Sequence, residues 1–226
     1  MIVEEAPSPN FGERRGGLRP ELVVLHHTAM ATAEAALARL RDPAAEVSAH
    51  YLVAEDGRVW RLVDERARAW HAGAGSWRGQ GDVNSRSIGI ELANPGPLAA
   101  VPPFPEPQMA ALEALLDGVM ARWRIPAAGV IAHSDIAPGR KADPGPKLDW
   151  RRLARGGWAV APEGHGVPGW EAFGEAATAA GYPAGGDREE LLAAARLRLR
   201  PWARGVAPEA EDTGALLALA EAARGA

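Results

Sequence analysis

Residues 21–26 (ELVVLH) form a short apolar run, rich in valine and leucine, that ends on a histidine. A run of this length and composition suits a buried strand. It is the first of several short strand candidates separated by helical periodicity. Residues 31–41 carry Ala and Leu at helical spacing and stop before Asp42-Pro43. Residues 48–53 and 58–63 read as two strands joined by the turn signal Glu55-Asp56-Gly57. Residues 87–92 (SIGIEL) alternate like a further strand. Met109, Leu112, Leu115, Leu116, Val119 and Trp123 recur at spacings of three and four, which predicts an amphipathic helix over 107–124. A short strand at 129–133 (GVIAH) and a short helix at 147–154 follow. The sum is an α/β (α+β) domain, a central mixed β-sheet flanked by helices, spanning 18–155.

Residues 1–17 read as an N-terminal extension. Residues 73–84 are glycine-rich and carry Trp77 and Arg78, and residues 94–107 are dense in proline; both stretches read as loops. A linker is expected at 156–169, which holds five glycines, two prolines and His165. Three helical stretches, near 170–180, 188–199 and 212–223, then make up a small C-terminal helical domain, 170–226. A segment that small is expected to lean on the main domain for stability.

Composition narrows the function. With 25 Lys+Arg against 29 Asp+Glu and a net charge of −4, the chain has no basic footprint for nucleic acid. It has no cysteine. Disulfides, thiolate metal sites and cysteine nucleophiles are therefore excluded, and any metal must be held by His and carboxylate ligands. No stretch approaches the roughly 18 apolar residues that span a bilayer. The first residues lack the apolar core of a signal peptide, so the chain as given is expected in the cytoplasm; a start truncated upstream would instead allow the periplasm. The sequence carries no signal of oligomeric state.

Six histidines occur, and His26 and His133 each close a predicted strand. Asp143 lies in a Pro/Gly-rich loop downstream of His133. Two histidines and a carboxylate are a recurrent ligand set for catalytic zinc, leaving a fourth position open. His27 rivals His26, since strand neighbours point to opposite faces and only one can serve. Asp135 rivals Asp143, although a turn or capping role suits it better. In a regular strand Glu91 shares a face with Ser87 and Gly89, a small polar face that could line a cleft or meet water.

The stretches VVLHHTA, SAHYLV, AWHAG, IGIELAN and AHSDIAPGRKADPGP, in this order, resemble the family 2 N-acetylmuramoyl-L-alanine amidases, a group related to phage lysozyme-type amidases and peptidoglycan recognition proteins. The resemblance implies a zinc-dependent hydrolase of peptidoglycan fragments, cutting between the muramyl (or anhydro-muramyl) sugar and L-alanine, in wall recycling or remodelling. It implies His26, His133 and Asp143 as zinc ligands, Glu91 as general base, and Lys141 as the cation that stabilises the oxyanion. His50 and His71 fall in family motifs without being ligands there, so hydrogen bonding behind the ligands or lining of the cleft is expected for them. Trp70, Trp77, Arg78 and Asn94 are the remaining candidates for substrate contact; Trp70, Trp77 and Arg78 could each equally pack into the loop's own small core. The runner-up function is a module that binds peptidoglycan without cutting it. The tail, with LRLRPW, resembles a three-helix peptidoglycan-binding domain; the plainer alternative is a helical extension packed on the sheet domain.

Overall fold

The computed structural model describes residues 2–96, 102–203, 205 and 207–225. Of the proline-dense stretch, residues 97–101 lie outside them. The chain divides into two compact units, Met1–Gly73 with Asp82–Ile125, and Ala74–Gly81 with Pro126–Ala226. The division falls at Ile125/Pro126, well before the expected linker.

The first unit contains β1 (Val3–Glu5), β2 (Phe11–Gly12), β3 (Leu22–His27), α1 (Ala33–Arg41), β4 (Tyr51–Val53), β5 (Val59–Arg61), β6 (Arg68–Ala69), α2 (Val83–Arg86), β7 (Ser87–Leu92) and α3 (Glu106–Trp123). Five strands of the main sheet lie here, in the order β1-β5-β4-β7-β3. Only the β4–β5 pair, joined by the predicted hairpin, is antiparallel; β1–β5, β4–β7 and β3–β7 are parallel. Gly57 in that hairpin has φ +88°, a conformation side-chain-bearing residues seldom adopt. The residues expected to form an extension are part of the fold: β1 adds a parallel edge strand and β2 pairs with β6.

Register places Glu4, Trp60, Leu52, Glu91 and His26 in one row across the five strands. Aligned residues in neighbouring strands project from the same face, so this row runs from apolar at its middle to polar at β7 and β3. Ala33, Ala36 and Leu40 of α1 cover Leu52 and Trp60. The helix starts where Thr32 accepts the Ala35 N–H and ends at Asp42, before Pro43. Tyr51 projects from the other face, where its hydroxyl donates to Glu65, which also accepts from Arg122 and Trp123 at the end of α3.

The second unit holds β8 (Val130–Ala132), α4 (His133–Ile136), α5 (Trp150–Arg155), α6 (Trp170–Ala180), α7 (Arg188–Leu199) and α8 (Ala210–Arg224). α6 packs along α8, and α7 packs on α4. Residues 156–169 are not a loose tether: a Cβ on Gly214 of α8 would run into the Gly164 carbonyl, and Gly166 lies equally close to the α8 backbone. His165 is exposed. Arg198 and Arg200 of LRLRPW, with Arg196 just before it, divide between two buried acids. Arg196 and Arg200, four residues apart on one side of the chain, both meet Asp212 of α8, Arg196 by hydrogen bonds and Arg200 as an ion pair. Arg198 faces the other way and bonds Asp135 of α4 at 2.8 Å, with the two side chains 1% and 0% exposed. Removing one partner of such a buried pair costs about 3–5 kcal/mol.

Candidate active site

His26 and Glu91 are register partners at the carboxyl ends of two parallel strands. The row beneath them explains the IGIEL motif. Ile88 and Ile90 point into the core, fully buried, while Gly89 leaves bare backbone on the Glu91 face. The His71 ring lies on that backbone, and a Cβ at Gly89 would sit 2.5 Å from its Cγ. His71 is thereby seated between two polar partners. The Ser87 hydroxyl donates to the Val83 carbonyl at 2.6 Å, so its oxygen accepts from His71 Nε2 at 3.1 Å. His71 Nδ1 then accepts from His26 Nε2 at 3.0 Å. This assignment, made from the hydrogen-bond network, puts the His26 lone pair on Nδ1, the state a metal ligand needs.

In the second unit β8 runs directly into the short helix α4, which begins at His133. His133 is 3% exposed, and its Nδ1 lies 2.9 Å from Asp143 Oδ2. The Ser134 N–H donates to the Asp143 carbonyl at 3.0 Å, tying the loop of Asp143 back to the His133 turn. Among the described residues, His26, His133 and Asp143 group as side chains that could hold a metal ion, each offering one ligand atom. His27 is not in that group; it follows His26 in β3 and so projects from the opposite face. Asp135 is not in it either. Its Oδ2 accepts from Ala132 N–H at 2.9 Å and from Arg198, and its Oδ1 accepts from the Tyr182 hydroxyl at 2.6 Å. Glu91 is half-buried and Lys141 exposed.

Three of the candidates for substrate contact are buried. His50 is 0% exposed; the Gly89 N–H donates to its Nδ1 at 2.9 Å, and its Nε2 faces the Ala67 carbonyl at 3.2 Å. Burial, aided by the Arg14 guanidinium, pushes its pKa down to about 3. His50 therefore braces β7 as a neutral ring. Trp77 is 0% exposed and meets Tyr182 of the C-terminal segment edge-on at 5.2 Å, so it packs against a residue from outside its own loop. Asn94 is 2% exposed and clasps its loop by accepting from Gly96 N–H and donating to Pro102 O. Trp70 is half-buried and Arg78 exposed, so both keep surface for a ligand. The sequence did not single out Ser87 or Gly89 as site residues, although their small size on the Glu91 face was visible in the alternation. Arg14, which donates to the carbonyls of Ser85 and Glu65, gave no signal.

A neutral buried His50 makes stability depend on pH in a defined direction. Its folded pKa lies below its ordinary value, so the stabilisation is fully present above about pH 6.5 and is lost as pH falls toward 3. One such group contributes a slope of roughly 1.4 kcal/mol per pH unit in that window. Urea titrations of metal-free protein at pH 7, 6 and 5 are expected to show this fall, and His50→Gln to flatten it. An unchanged slope in the variant would remove His50 as its source.

Residues 16–146 match the family model described as N-acetylmuramoyl-L-alanine amidase. The chain belongs to this family. It is 40% identical to Escherichia coli AmiD, an N-acetylmuramoyl-L-alanine amidase, over 66% of this chain and 57% of the relative. The match thus spans little more than half of that relative's length. The chain is 34% identical to the 1,6-anhydro-N-acetylmuramyl-L-alanine amidase AmpD of Citrobacter freundii, over 72% of this chain and 92% of AmpD. Among solved structures, E. coli AmiD in complex with the substrate anhydro-N-acetylmuramic acid-L-Ala-D-γ-Glu-L-Lys superposes with a TM-score of 0.77 at 32% identity, covering 94% of this chain and 96% of that one. The mixed sheet flanked by helices is the fold of this amidase family. No helix among the described residues is long and apolar enough to cross a membrane.

Proposed function

We propose that this family member is a zinc-dependent amidase that hydrolyses the bond between N-acetylmuramic or anhydro-muramic acid and L-alanine in peptidoglycan fragments, in wall recycling or remodelling. The observation that carries the reading is the donor set: two histidines and an aspartate, the ligand types of a hydrolytic zinc site, on a family scaffold that also keeps Glu91. The donors fit the ion, since His133 Nδ1 and Asp143 Oδ2 are close enough to share it and the His71–Ser87 chain sets the tautomer of His26. When bound, zinc supplies Lewis-acid polarisation of the scissile carbonyl and lowers the pKa of the attacking water.

The protein's own residues supply the rest. Glu91, beside His26 at the end of the sheet, takes a proton from the water as its oxygen bonds the carbonyl carbon. It returns that proton to the L-alanine nitrogen as the C–N bond breaks. Lys141 donates to the oxyanion in between, a preorganised charge placed where negative charge develops. Trp70 and Arg78 offer surface to the sugar or stem peptide.

The test is mass spectrometry of products from muramyl and anhydro-muramyl tripeptides, with and without a zinc chelator. Free peptide, lost on chelation and restored by zinc, is the expected result. No cleavage with zinc demonstrably bound would instead identify a module that binds peptidoglycan without cutting it.

The seat of His71 gives a second check. Gly89→Ala is expected to displace the ring, break the His71–His26 bond and weaken zinc binding by roughly 10–100-fold. Chelator competition measures this, and an unchanged zinc affinity would show that His71 does not orient His26.

A further inference from the structure

We infer that Arg198 and Tyr182, which belong to the C-terminal helical segment, are positioning residues for the metal site and act on it through Asp135. The inference rests on the proposal that His133 and Asp143 hold zinc, and it assigns the tail a role other than wall binding.

The observations form one connected path. Asp135 sits two residues after His133 and is 0% exposed. Its Oδ2 accepts from the Ala132 N–H, just ahead of His133, at 2.9 Å. That carboxylate therefore holds the backbone turn from which the His133 imidazole projects. Arg198 holds the same turn at two points: one nitrogen donates to Asp135 Oδ2 at 2.8 Å, the other to the Val130 carbonyl at 2.9 Å. Its guanidinium also lies over the Trp150 ring, 4.7 Å from the centroid, which fixes its plane. The Tyr182 hydroxyl donates to the second carboxylate oxygen at 2.6 Å. Burial and the neighbouring Asp135 charge raise the Tyr182 pKa well above its ordinary value, so the hydroxyl remains a donor. The Ser134 N–H then passes the constraint to the Asp143 backbone. Both proposed ligands of this unit thus hang from a turn whose carboxylate is braced by α7 and the Tyr182 loop as well as by its own backbone.

A free-standing wall-binding module would put no requirement on this turn. Ligands are held in productive geometry by the groups behind them, and loss of such groups typically weakens metal binding 10–100-fold. Arg198 is suited to this work because its planar guanidinium presents donors in a fixed fork that meets a carboxylate and a carbonyl together, whereas the donors of a lysine sit on one freely rotating nitrogen.

The experiment uses the full chain. Zinc affinity is measured by competition with a chromophoric chelator, and the visible absorption of the cobalt(II)-substituted protein reports ligand geometry. Arg198→Met is expected to weaken zinc binding 10–100-fold and to change the cobalt spectrum, with Arg198→Lys recovering part of the loss. Arg196→Met is the control, since Arg196 is similarly buried on the same helix but bonds Asp212; it is expected to lower the melting temperature while leaving zinc affinity unchanged. Tyr182→Phe keeps the packing and removes one donor, so it is expected to weaken zinc binding several-fold even if Arg198→Met fails to fold. Equal zinc affinity in the Tyr182 variant and wild type, or equal losses for the Arg198 and Arg196 variants, would overturn the inference. Wild-type protein that binds no zinc would instead bring down the metal reading itself.

Discussion

Glu91→Gln is expected to lower kcat/KM for muramyl peptides by at least 10²–10⁴-fold, roughly the range supplied by a positioned general acid–base group. Glutamine keeps the size of the side chain and its place beside His26 in the β3–β7 register, but it cannot accept the water proton at neutral pH. The zinc content of the variant, measured by elemental mass spectrometry, is expected to match wild type because Glu91 is outside the proposed ligand group. A variant with wild-type turnover would refute the assignment of Glu91 as the base. A variant that lost zinc as well would move Glu91 into the group that builds the metal site.

The second large effect is expected from Asp143→Ala. The side chain is one of three proposed ligands, whereas the bond from Ser134 N–H goes to the Asp143 backbone carbonyl and survives the substitution. The loop is therefore expected to keep its path while the metal is lost. Zinc content should fall to near background and turnover by about 10³-fold or more, since Lewis-acid stabilisation is worth several kcal/mol. Asp135 cannot take over as ligand, because it is fully buried and engaged by Arg198 and Tyr182. Full activity and full zinc content in Asp143→Ala would show that the carboxylate ligand lies elsewhere.

Local pattern was enough where local physics governs. The alternation of SIGIEL specified β7 from Ser87 to Leu92, and helical spacing specified α6 and α7 from first residue to last. Those signals work because a strand or helix that buries one face needs apolar side chains at its own period, whatever it packs against. The edge strand β1 escaped notice for the converse reason. Val3–Glu5 reads as a polar, acidic tail, and what makes it a strand is backbone pairing with Val59–Arg61, far along the chain.

The residue types of the site were legible as well. A chain without cysteine leaves histidine and carboxylate as metal donors, and His26, Glu91, His133 and Asp143 stood at strand ends or in loops where a site could form. Their surroundings were not legible. Histidine, tryptophan and asparagine suit a sugar-binding surface as well as an interior, and only the packed structure buries His50, Trp77 and Asn94. The three arginines of the tail look alike in sequence, yet α7 sends Arg196 to Asp212 and Arg198 to Asp135. The sequence by itself thus determined the chemistry available and the elements that carry it. The tertiary structure decided which groups are dry and which partner each charge meets, because burial and pairing join residues distant in the chain that no local period records.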